Sequence, residues 1–379
     1  MARQKKAGDK GKQYSNNHYK NNNHKNNHYL QILNERGEIV DAKIEPKISR
    51  EELKRMYALM ILARTFDDKA LKIQRQGRIG TYLPVRGQEA CQIGSAILMK
   101  KSDWMFPAFR EHAAYFTRGM PIKNYLYYWM GYEEGGKIPE DQNNFTISIP
   151  VGSQLVHAVG VAMASRIKGE NIASVVYFGD GATSEGEFHE ALNFAGLFKA
   201  PVVFICQNNQ WAISTPRKKQ TASKTIAQKA SAYGFEGIQV DGNDILAVYS
   251  ATREALKKAY SGKGPVLIEC ITYRMGVHST SDDTAKYRSE AEAVEWEKKD
   301  PIQRFEAYLK SRKILNDAEI KKIREDAENE VNSAVVEAEK FQQNPLDMFD
   351  YVYAESTKNL AEQKEELKGY LDNLGNPKK

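Results

Sequence analysis

Residues 175–209, VVYFGDGATSEGEFHEALNFAGLFKAPVVFICQNN, decide the fold of this chain. Two apolar runs, at 175–178 and 202–206, have the length of buried strands. Apolar residues recur between them at helical spacing, at Phe188, Ala191, Leu192 and Ala195. A strand, a crossover helix and a second strand make a βαβ unit, so the sequence predicts a doubly wound parallel α/β sheet.

The crossover helix has a candidate start signal. Ser184 and Glu187 have the spacing of a capping box, S-x-x-E, which predicts that the helix begins at Ser184. Further strands are predicted at 237–240 and 265–273, the second of which reads PVLIECITY. Ligands bind parallel sheets of this kind beyond the carboxyl ends of the strands. A functional site is therefore expected in the turns that follow the central strands.

Composition divides the chain into three regions. Residues 1–28 are rich in Asn, Lys and His and contain little to bury, so we expect a disordered basic tail. Residues 29–300 are expected to form the α/β domain, with an amphipathic helix over 51–76 and a second helix from about Gln88. Residues 301–379 are charge-rich with helical periodicity, which predicts a helical C-terminal appendage.

The formal net charge of +6 does not indicate nucleic-acid binding, because much of the excess lies in residues 1–28. Asp9 is the only acidic residue in that segment. The remainder is close to balanced, and we predict no basic face on it. If the tail did bind nucleic acid, deleting it would abolish that binding and leave catalysis intact.

The three cysteines, Cys91, Cys206 and Cys270, each lie in an apolar stretch and are predicted to be reduced core thiols. No apolar run approaches the roughly 18 residues of a membrane span, and the N-terminus lacks the apolar core of a signal peptide. We therefore predict a cytoplasmic protein without a membrane partner, or a mitochondrial matrix protein if the source is eukaryotic.

Polar residues follow both central strands of the βαβ unit. Gly179-Asp180-Gly181 comes after the first strand and Asn208-Asn209 after the second. Because these strands end at one sheet edge, an Asp carboxylate and an Asn carbonyl come together there, and such hard oxygen donors suit Mg²⁺ that also keeps phosphate ligands. The glycines let a diphosphate approach the backbone, and the helix N-terminus offers free N–H groups. The sequence therefore predicts a magnesium and diphosphate site.

Residues 179–209 resemble the thiamine-diphosphate motif, which opens with G-D-G and closes with N-N. With E-x-L-N-x-A inside it and A-I-S-T-P after it, the segment resembles the alpha subunits of 2-oxo acid dehydrogenases. RQGRIG, GQEA, FREH, VDGND and YRMGVHSTSDD match further blocks of this family in the expected order. The resemblance covers roughly residues 29–375 and implies the thiamine-diphosphate-binding fold.

The resemblance implies a ligand set for the metal and the diphosphate. Asp180 and Asn209 would bind Mg²⁺ through their side chains, and Trp211 would bind it through its backbone carbonyl. Gly181 and Ala182 would contact the diphosphate through their backbone.

The resemblance also implies residues around the rest of the cofactor. Arg110 would pair with diphosphate oxygens, and Phe109 stands where many relatives carry Tyr, so one hydroxyl contact is missing. Ile149 and Val151 would cradle the aminopyrimidine. His278 would be the catalytic side chain, a neutral imidazole that contacts the cofactor phosphate and assists acyl transfer to lipoamide.

Two neighbouring segments match further family features. The residues Ser148, Pro150, Ser153 and Gln154 resemble the potassium site of branched-chain relatives, so the resemblance implies a K⁺ site here. Residues 279–288 would be a mobile loop that orders over the cofactor, anchored by Tyr287 and Arg288. Ser279 matches a position that is phosphorylated in some relatives.

Partners follow from the same resemblance. Thiamine chemistry needs a carboxylate on the aminopyrimidine ring nitrogen, and in this family a separate beta subunit supplies it. We therefore predict an α2β2 heterotetramer, a chain that is inactive alone, and acyl transfer to the lipoyl domain of an acyltransferase.

The 2-oxo acid substrate stays open between two main readings. LQILNERGEIV, TIAQKA and DPIQRF resemble bacterial pyruvate dehydrogenases, whereas HSTSDD and NPLDMFDYVY resemble branched-chain 2-oxo acid dehydrogenases. We favour pyruvate over 3-methyl-2-oxobutanoate, with acetoin dehydrogenases and other relatives behind them. A catalytically inactive scaffold is the alternative outside the enzymes, and the joint presence of Asp180, Asn209, Arg110 and His278 disfavours it.

Overall fold

The computed structural model describes residues 29–375, so the predicted tail at 1–28 lies outside the described residues. The strands are, in chain order, β1 (Trp104–Phe106), β2 (Ser174–Gly179), β3 (Val202–Asn208), β4 (Trp211–Ala212), β5 (Thr215–Pro216), β6 (Glu236–Asp241) and β7 (Val266–Ile271). One parallel sheet has the order β1-β2-β3-β7-β6, while β4 and β5 form a short antiparallel ribbon. The predicted parallel α/β fold is confirmed.

Helices cover the sheet and extend the chain beyond it. They are α1 (Arg50–Arg75), α2 (Glu89–Ala96), α3 (His112–Thr117), α4 (Ile122–Met130), α5 (Ser153–Ile167), α6 (Gly186–Phe198), α7 (Arg217–Gln220), α8 (Ile245–Tyr260), α9 (Glu290–Glu297), α10 (Pro301–Ser311), α11 (Asp317–Glu339) and α12 (Lys358–Gly375). The two helices predicted upstream of the sheet correspond to α1 and α2, within two residues at each predicted end. Within residues 29–375, no helix is both long enough and apolar enough to cross a bilayer.

The two central strands are buried on both faces. Along β2, Val175 and Tyr177 pack in one hydrophobic cluster, while Val176 and Phe178 pack in another. Successive side chains of a strand point to opposite faces, so this alternation places one layer of the core on each side of the sheet. The register pairs Gly179 with Gln207, and the chain therefore leaves β2 and β3 at the same edge.

The C-terminal helices share a core with the N-terminal helix. Ser49 caps α1 by accepting a hydrogen bond from the Glu52 N–H. Further along α1, Met60 belongs to the same buried cluster as Phe305 of α10 and Ile320 of α11. Residues 301–339 thus stabilise the α/β unit by burial of apolar surface. The boundary drawn at residue 300 stays a prediction.

The predicted start of the crossover helix is wrong. Residues Asp180–Ser184 form a 3₁₀ helix, and α6 begins only at Gly186, after Glu185, whose side chain makes no capping bond. The Glu185 N–H donates to the Ala182 carbonyl at 3.2 Å, so the chain is still completing the tight turn when it passes Ser184. The capping pattern is present in the sequence, but the turn delays the helix.

The cysteines lie where the sequence predicts. Cys91, Cys206 and Cys270 are free thiols and fully buried. Burial raises the pKa of Cys91 and Cys206 well above the ordinary value, so these thiols stay protonated and unreactive.

Candidate cofactor site

Asp180 and Asn209 occupy the edge where β2 and β3 end. The Asp180 side chain is 1% exposed, and neither of its carboxylate oxygens has a hydrogen-bond partner. Asn209 is also buried; its amide donates to Gln88 Oε1 at 3.1 Å, and its Oδ1 accepts from the Trp211 N–H at 3.2 Å. A buried carboxylate without donors is strongly unfavourable unless a cation or a proton satisfies it.

The raised pKa of Asp180 also indicates a carboxylate with too little compensation for its burial. Burial raises this pKa to about 7, while the facing backbone N–H groups of Asp180 and Asn209 and the Arg274 guanidinium oppose the rise. The pairing of Gly179 with Gln207 places the two predicted metal ligands just beyond neighbouring strand ends. A divalent cation at this carboxylate would hold it in the charged form.

Gly181 lets the turn pack closely against the β4–β5 ribbon. A Cβ at this position would lie 3.0 Å from the Ala212 Cβ, tighter than ordinary contact. Gln220 of α7 donates to the Gly181 carbonyl at 2.9 Å, and the next residue, Ala182, is buried. The turn is thus held from outside and has no side chain to obstruct a ligand approaching its backbone.

Arg110 is a buried cation that forms no ion pair with any carboxylate among residues 29–375. Its guanidinium donates to the Pro84 carbonyl at 2.6 Å, to the His278 carbonyl at 3.1 Å and to His278 Nδ1 at 3.3 Å. Burial, followed by the nearby Arg274 cation, lowers the pKa of Arg110 to about 10, so it keeps its charge at neutral pH. Two neighbouring arginines with this little compensation make a binding place for an anion.

His278 is neutral and has a defined tautomer. Arg110 and Arg274 both approach its Nδ1, at 3.3 and 3.4 Å, and arginine can only donate. Nδ1 must therefore be the acceptor, and the proton resides on Nε2. Burial, then Arg110 and then Arg274, lower the pKa of His278 to about 4, as the prediction of a neutral imidazole requires.

Arg274 contacts both the β4–β5 ribbon and the segment that carries His278. The sequence analysis did not identify it as a site residue. It donates to the Trp211 carbonyl at 3.4 Å, to the Ile213 carbonyl at 2.8 Å and to the Tyr287 hydroxyl at 2.6 Å. Its place in the quoted motif YRMGVHSTSDD was the available signal. The sequence does not show where the Arg274 side chain points. It turns from the end of β7 toward the β4–β5 ribbon, where it contacts the Trp211 and Ile213 carbonyls.

The loop after His278 is fastened at both ends. Asp282 accepts the His278 N–H at 2.7 Å and the Tyr287 hydroxyl at 2.5 Å. Arg288 donates to the backbone carbonyls of residues 274–276. Tyr287 and Arg288 therefore make the contacts expected of anchors, while the predicted mobility of the loop stays a prediction.

Ile149 and Val151 lie on the open side of the site. Their segment is held by the Ser148 N–H, which donates to the Ala108 carbonyl at 2.8 Å, next to Phe109. Phe109 in turn packs edge-on against the His278 ring, with 6.2 Å between centroids. The two aliphatic side chains are 51% and 47% exposed, so they present an apolar surface beside the buried polar groups.

Three of the four predicted potassium ligands, Ser148, Pro150 and Ser153, are linked by hydrogen bonds on the same segment. Ser148 and Ser153 hydroxyls are 2.6 Å apart, and Ser153 donates to the Pro150 carbonyl at 2.9 Å. The Gln154 amide nitrogen donates to the Tyr177 carbonyl, while its Oε1 is buried without a partner. A set of hydroxyl, carbonyl and amide oxygens suits a hard cation.

The comparisons with known proteins decide the family. The model of the dehydrogenase E1 component matches residues 57–346. This chain belongs to the dehydrogenase E1 component family. It is 46% identical over 344 residues to a pyruvate dehydrogenase E1 component subunit alpha of Acholeplasma laidlawii, covering 90% of this chain and 100% of the relative. Proteins of the same name from Staphylococcus aureus (strain Mu50) and Staphylococcus epidermidis are each 40% identical over 338 residues, covering 89% of this chain and 91% of theirs.

Membership in the E1 family confirms two sequence-based predictions, the alpha-subunit resemblance and the fold class. It places the chain among the 2-oxo acid dehydrogenases, which are oxidoreductases, and implies thiamine diphosphate as the cofactor. The residues fit such a group, because the unpartnered Asp180 carboxylate and the Arg110 cation both need an oppositely charged ligand. The assignment of individual site residues stays a prediction.

Proposed function

We propose that this chain is the alpha subunit of a pyruvate dehydrogenase E1 component. It would take part in the thiamine-dependent oxidative decarboxylation of pyruvate and in transfer of the acyl group to a lipoyl group on an acyltransferase. The observation that carries the proposal is the buried Asp180 carboxylate, which forms no hydrogen bond within the described residues and follows β2 at the edge where β3 ends in Asn208. The names of the relatives support pyruvate as the substrate.

Asp180 and Asn209 would bind Mg²⁺ through side-chain oxygens and Trp211 through its carbonyl. These donors leave coordination positions for diphosphate oxygens, as Mg²⁺ prefers in phosphate sites. Gly181 and Ala182 would face the diphosphate with their backbone, and Arg110 would neutralise part of its charge. Bound at this edge, thiamine diphosphate would supply the carbon nucleophile for decarboxylating a 2-oxo acid.

The remaining side chains would position the cofactor and move protons. Ile149 and Val151, with Phe109 behind them, would contact the aminopyrimidine through apolar surface. His278 would donate its Nε2–H toward a phosphate oxygen or toward the sulfur that leaves as a thiolate when the other lipoyl sulfur accepts the acyl group, because Nδ1 is already engaged by two arginines. The anionic ligand would raise the pKa of His278 back toward the useful range near neutrality.

A beta subunit would complete the site in an α2β2 heterotetramer. The carboxylate that the aminopyrimidine ring requires would come from that subunit, across the open side marked by Ile149 and Val151. Helices α5 and α6, which pack together, expose further large apolar side chains of the kind that subunit interfaces cover, namely Ile167, Phe194, Leu197 and Phe198. We infer that the chain alone would not decarboxylate its substrate.

Potassium would bind at the oxygens of Ser148, Pro150, Ser153 and Gln154. The ion would brace the segment that carries Ile149 and Val151 and would satisfy the buried Gln154 Oε1. Removing K⁺ is expected to weaken cofactor binding without unfolding the chain.

The test is calorimetric titration of thiamine diphosphate with Mg²⁺ into the chain co-expressed with its beta-type partner. Wild type should bind in the micromolar range, and Asp180→Ala should abolish binding. Asp326→Ala, which removes an exposed carboxylate of α11, serves as the matched control and should bind normally. A well-folded wild-type complex that binds no cofactor would overturn the proposal in favour of a scaffold.

The same sample decides the substrate. Pyruvate and 3-methyl-2-oxobutanoate would be offered in parallel with a lipoyl acceptor, and kcat/KM compared. A clear preference for the branched substrate would replace pyruvate in the proposal and leave the cofactor site untouched.

A further inference from the structure

A single irregular loop, residues 82–88, contacts three parts of the candidate site. The loop lies between α1 and α2 and contains no helix or strand. It accepts hydrogen bonds from Arg110, from Asn209 and from the segment that carries His278. The contacts are Arg110 Nη1 to the Pro84 carbonyl at 2.6 Å, Asn209 Nδ2 to Gln88 Oε1 at 3.1 Å, the Met275 N–H to the Arg86 carbonyl at 3.2 Å and the Thr280 N–H to the Tyr82 carbonyl at 2.9 Å.

Asp67 holds this loop from behind. It lies on α1 and is 1% exposed. One carboxylate oxygen accepts the Tyr82 hydroxyl at 2.5 Å, and the other accepts the backbone N–H groups of Val85 and Arg86, each at 2.8 Å. An irregular segment lacks the repeating hydrogen bonds of a helix or strand, so these three bonds from one carboxylate help to fix the course of the loop at Tyr82, Val85 and Arg86.

The carboxylate of Asp67 depends on the loop in return. His112 Nε2 lies 3.3 Å from Asp67 Oδ1, but burial lowers the pKa of His112 to about 3, so this imidazole carries no charge. Arg64, one turn earlier on α1, is engaged by Glu89 and Asp300. The donors that reach Asp67 are therefore neutral groups of the loop. Burial raises the pKa of Asp67 to about 7, while the Tyr82 and Val85 bonds oppose that rise.

We propose that Asp67 is a positioning residue for cofactor binding, which sets Arg110, Asn209 and the His278 segment in place through loop 82–88. The inference rests on the proposed function, since it assumes that these three groups face thiamine diphosphate. Asp67 itself touches none of them. Its effect passes through the backbone carbonyls of the loop, which supply acceptors to the arginine and to the His278 segment.

Asp67→Leu is the informative variant, because it is similar in size and removes both acceptor oxygens. The Tyr82 hydroxyl and the Val85 and Arg86 N–H groups then lose their acceptor, so the clamp must open. Asp68→Asn is the control for charge, since Asp68 is the next residue on α1, half exposed, and contacts only the Arg86 side chain at 3.4 Å among the residues described.

Asp244→Asn is the control for losing a buried carboxylate. Asp244 is fully buried and accepts four backbone N–H groups, from Ile32, Leu33, Leu246 and Ala247. These bonds hold an N-terminal segment and the start of α8, and they lead to none of the three site groups. Loss of the Asp244 carboxylate should lower thermal stability as much as loss of the Asp67 carboxylate does. It should leave the affinity for thiamine diphosphate unchanged.

The experiment uses the full chain in complex with its beta-type partner and has two readouts. Hydrogen exchange followed by mass spectrometry, without cofactor, should show faster exchange in Asp67→Leu at peptides covering 80–88 and 275–288, with β2 and β3 unchanged. Titration with thiamine diphosphate and Mg²⁺ should show a Kd at least about tenfold weaker than wild type, as expected for losing hydrogen bonds to a charged group. Both controls should keep wild-type Kd values.

The outcomes are separable. Faster exchange confined to the two peptides, with weaker binding, supports the positioning role. Unchanged exchange at 275–288, exchange that rises equally across the sheet, or an Asp244→Asn variant that loses as much affinity overturns it. If wild type itself binds no thiamine diphosphate, the proposed function fails, and the exchange result still reports whether Asp67 positions the His278 segment.

Discussion

Two carboxylates at the same edge of the sheet have opposite surroundings. Asp241 ends β6, and its oxygens are matched by the Arg304 guanidinium at 2.7 Å, the Gln31 amide at 3.0 Å and the Asn243 N–H at 3.0 Å. Asp180 follows β2 and has no such partner. Both are nearly inaccessible to solvent. The comparison teaches that burial alone does not mark a ligand site, whereas burial without compensation does.

The largest effect is expected when the compensated pair is broken. Asp241→Ala leaves Arg304 buried without its counter-charge and should lower the free energy of unfolding by about 3–5 kcal/mol. Thermal unfolding of the complex measures the loss, and the Kd for thiamine diphosphate should stay at the wild-type value. Replacing both residues, by Asp241→Leu with Arg304→Met, should recover most of the stability. A strong loss of cofactor affinity in Asp241→Ala would erase the distinction between the two regions.

Replacing Asp180, the uncompensated carboxylate, should stabilise the protein, whereas replacing Asp241 should destabilise it. The pKa of Asp180 is about 7 in the folded chain against 3.8 ordinarily, so folding takes up a proton between these values. Without Mg²⁺ and cofactor, stability should therefore fall as pH rises from about 4 through 7, by at most on the order of 4 kcal/mol. Asp180→Asn removes this dependence and should be the more stable protein at pH 8. Thermal unfolding measured from pH 5 to 8 checks this prediction. An identical change of Tm with pH in the two proteins would contradict it.

The arginines should control the histidine between them. Burial, then Arg110 and then Arg274 lower the pKa of His278 to about 4, so Arg110→Gln should raise this pKa by about 1. NMR of the complex with ¹³C-labelled histidine gives this pKa directly. Arg253→Gln, at a partly exposed position of α8, is the control and should leave it where it is. No change in Arg110→Gln would mean that burial and Arg274 keep His278 neutral without Arg110.

The smallest effect concerns the shape of the turn. Gly181→Ala puts a methyl 3.0 Å from the Ala212 side chain, so the turn and the ribbon must separate slightly. We expect thiamine diphosphate to bind several-fold more weakly, equivalent to about 1 kcal/mol. Gly136→Ala, where a methyl meets open space, provides the control in the same titration. Equal affinities would show that the backbone at Gly181 has room to spare.

The sequence predicts features that depend on neighbours along the chain. Period and length identify β2, α6 and β3, and parallel connection brings Asp180 and Asn209 to one edge. Local patterns mislead where a tight turn intervenes, as Ser184 shows, since its capping pattern falls inside the 3₁₀ turn.

The sequence does not predict contacts between side chains and residues that are distant along the chain. Arg274 and Asp67 are ordinary polar residues in a strand exit and a helix, and their importance comes from what each side chain meets. Arg274 meets His278, and Asp67 meets a loop that begins fifteen residues later at Tyr82. The tautomer of His278 belongs to the same class, because it follows from two donors on different elements.

The lone carboxylate of Asp180 also bears on the lifetime of the protein in the cell. A ligand that binds only the folded state shifts the unfolding equilibrium in favour of that state, and here it also removes an internal source of instability. Proteases act mainly on unfolded molecules, so a chain left unloaded would be degraded sooner than a loaded one. Under vitamin starvation the amount of this subunit should fall even at constant synthesis, which makes its abundance a record of thiamine supply.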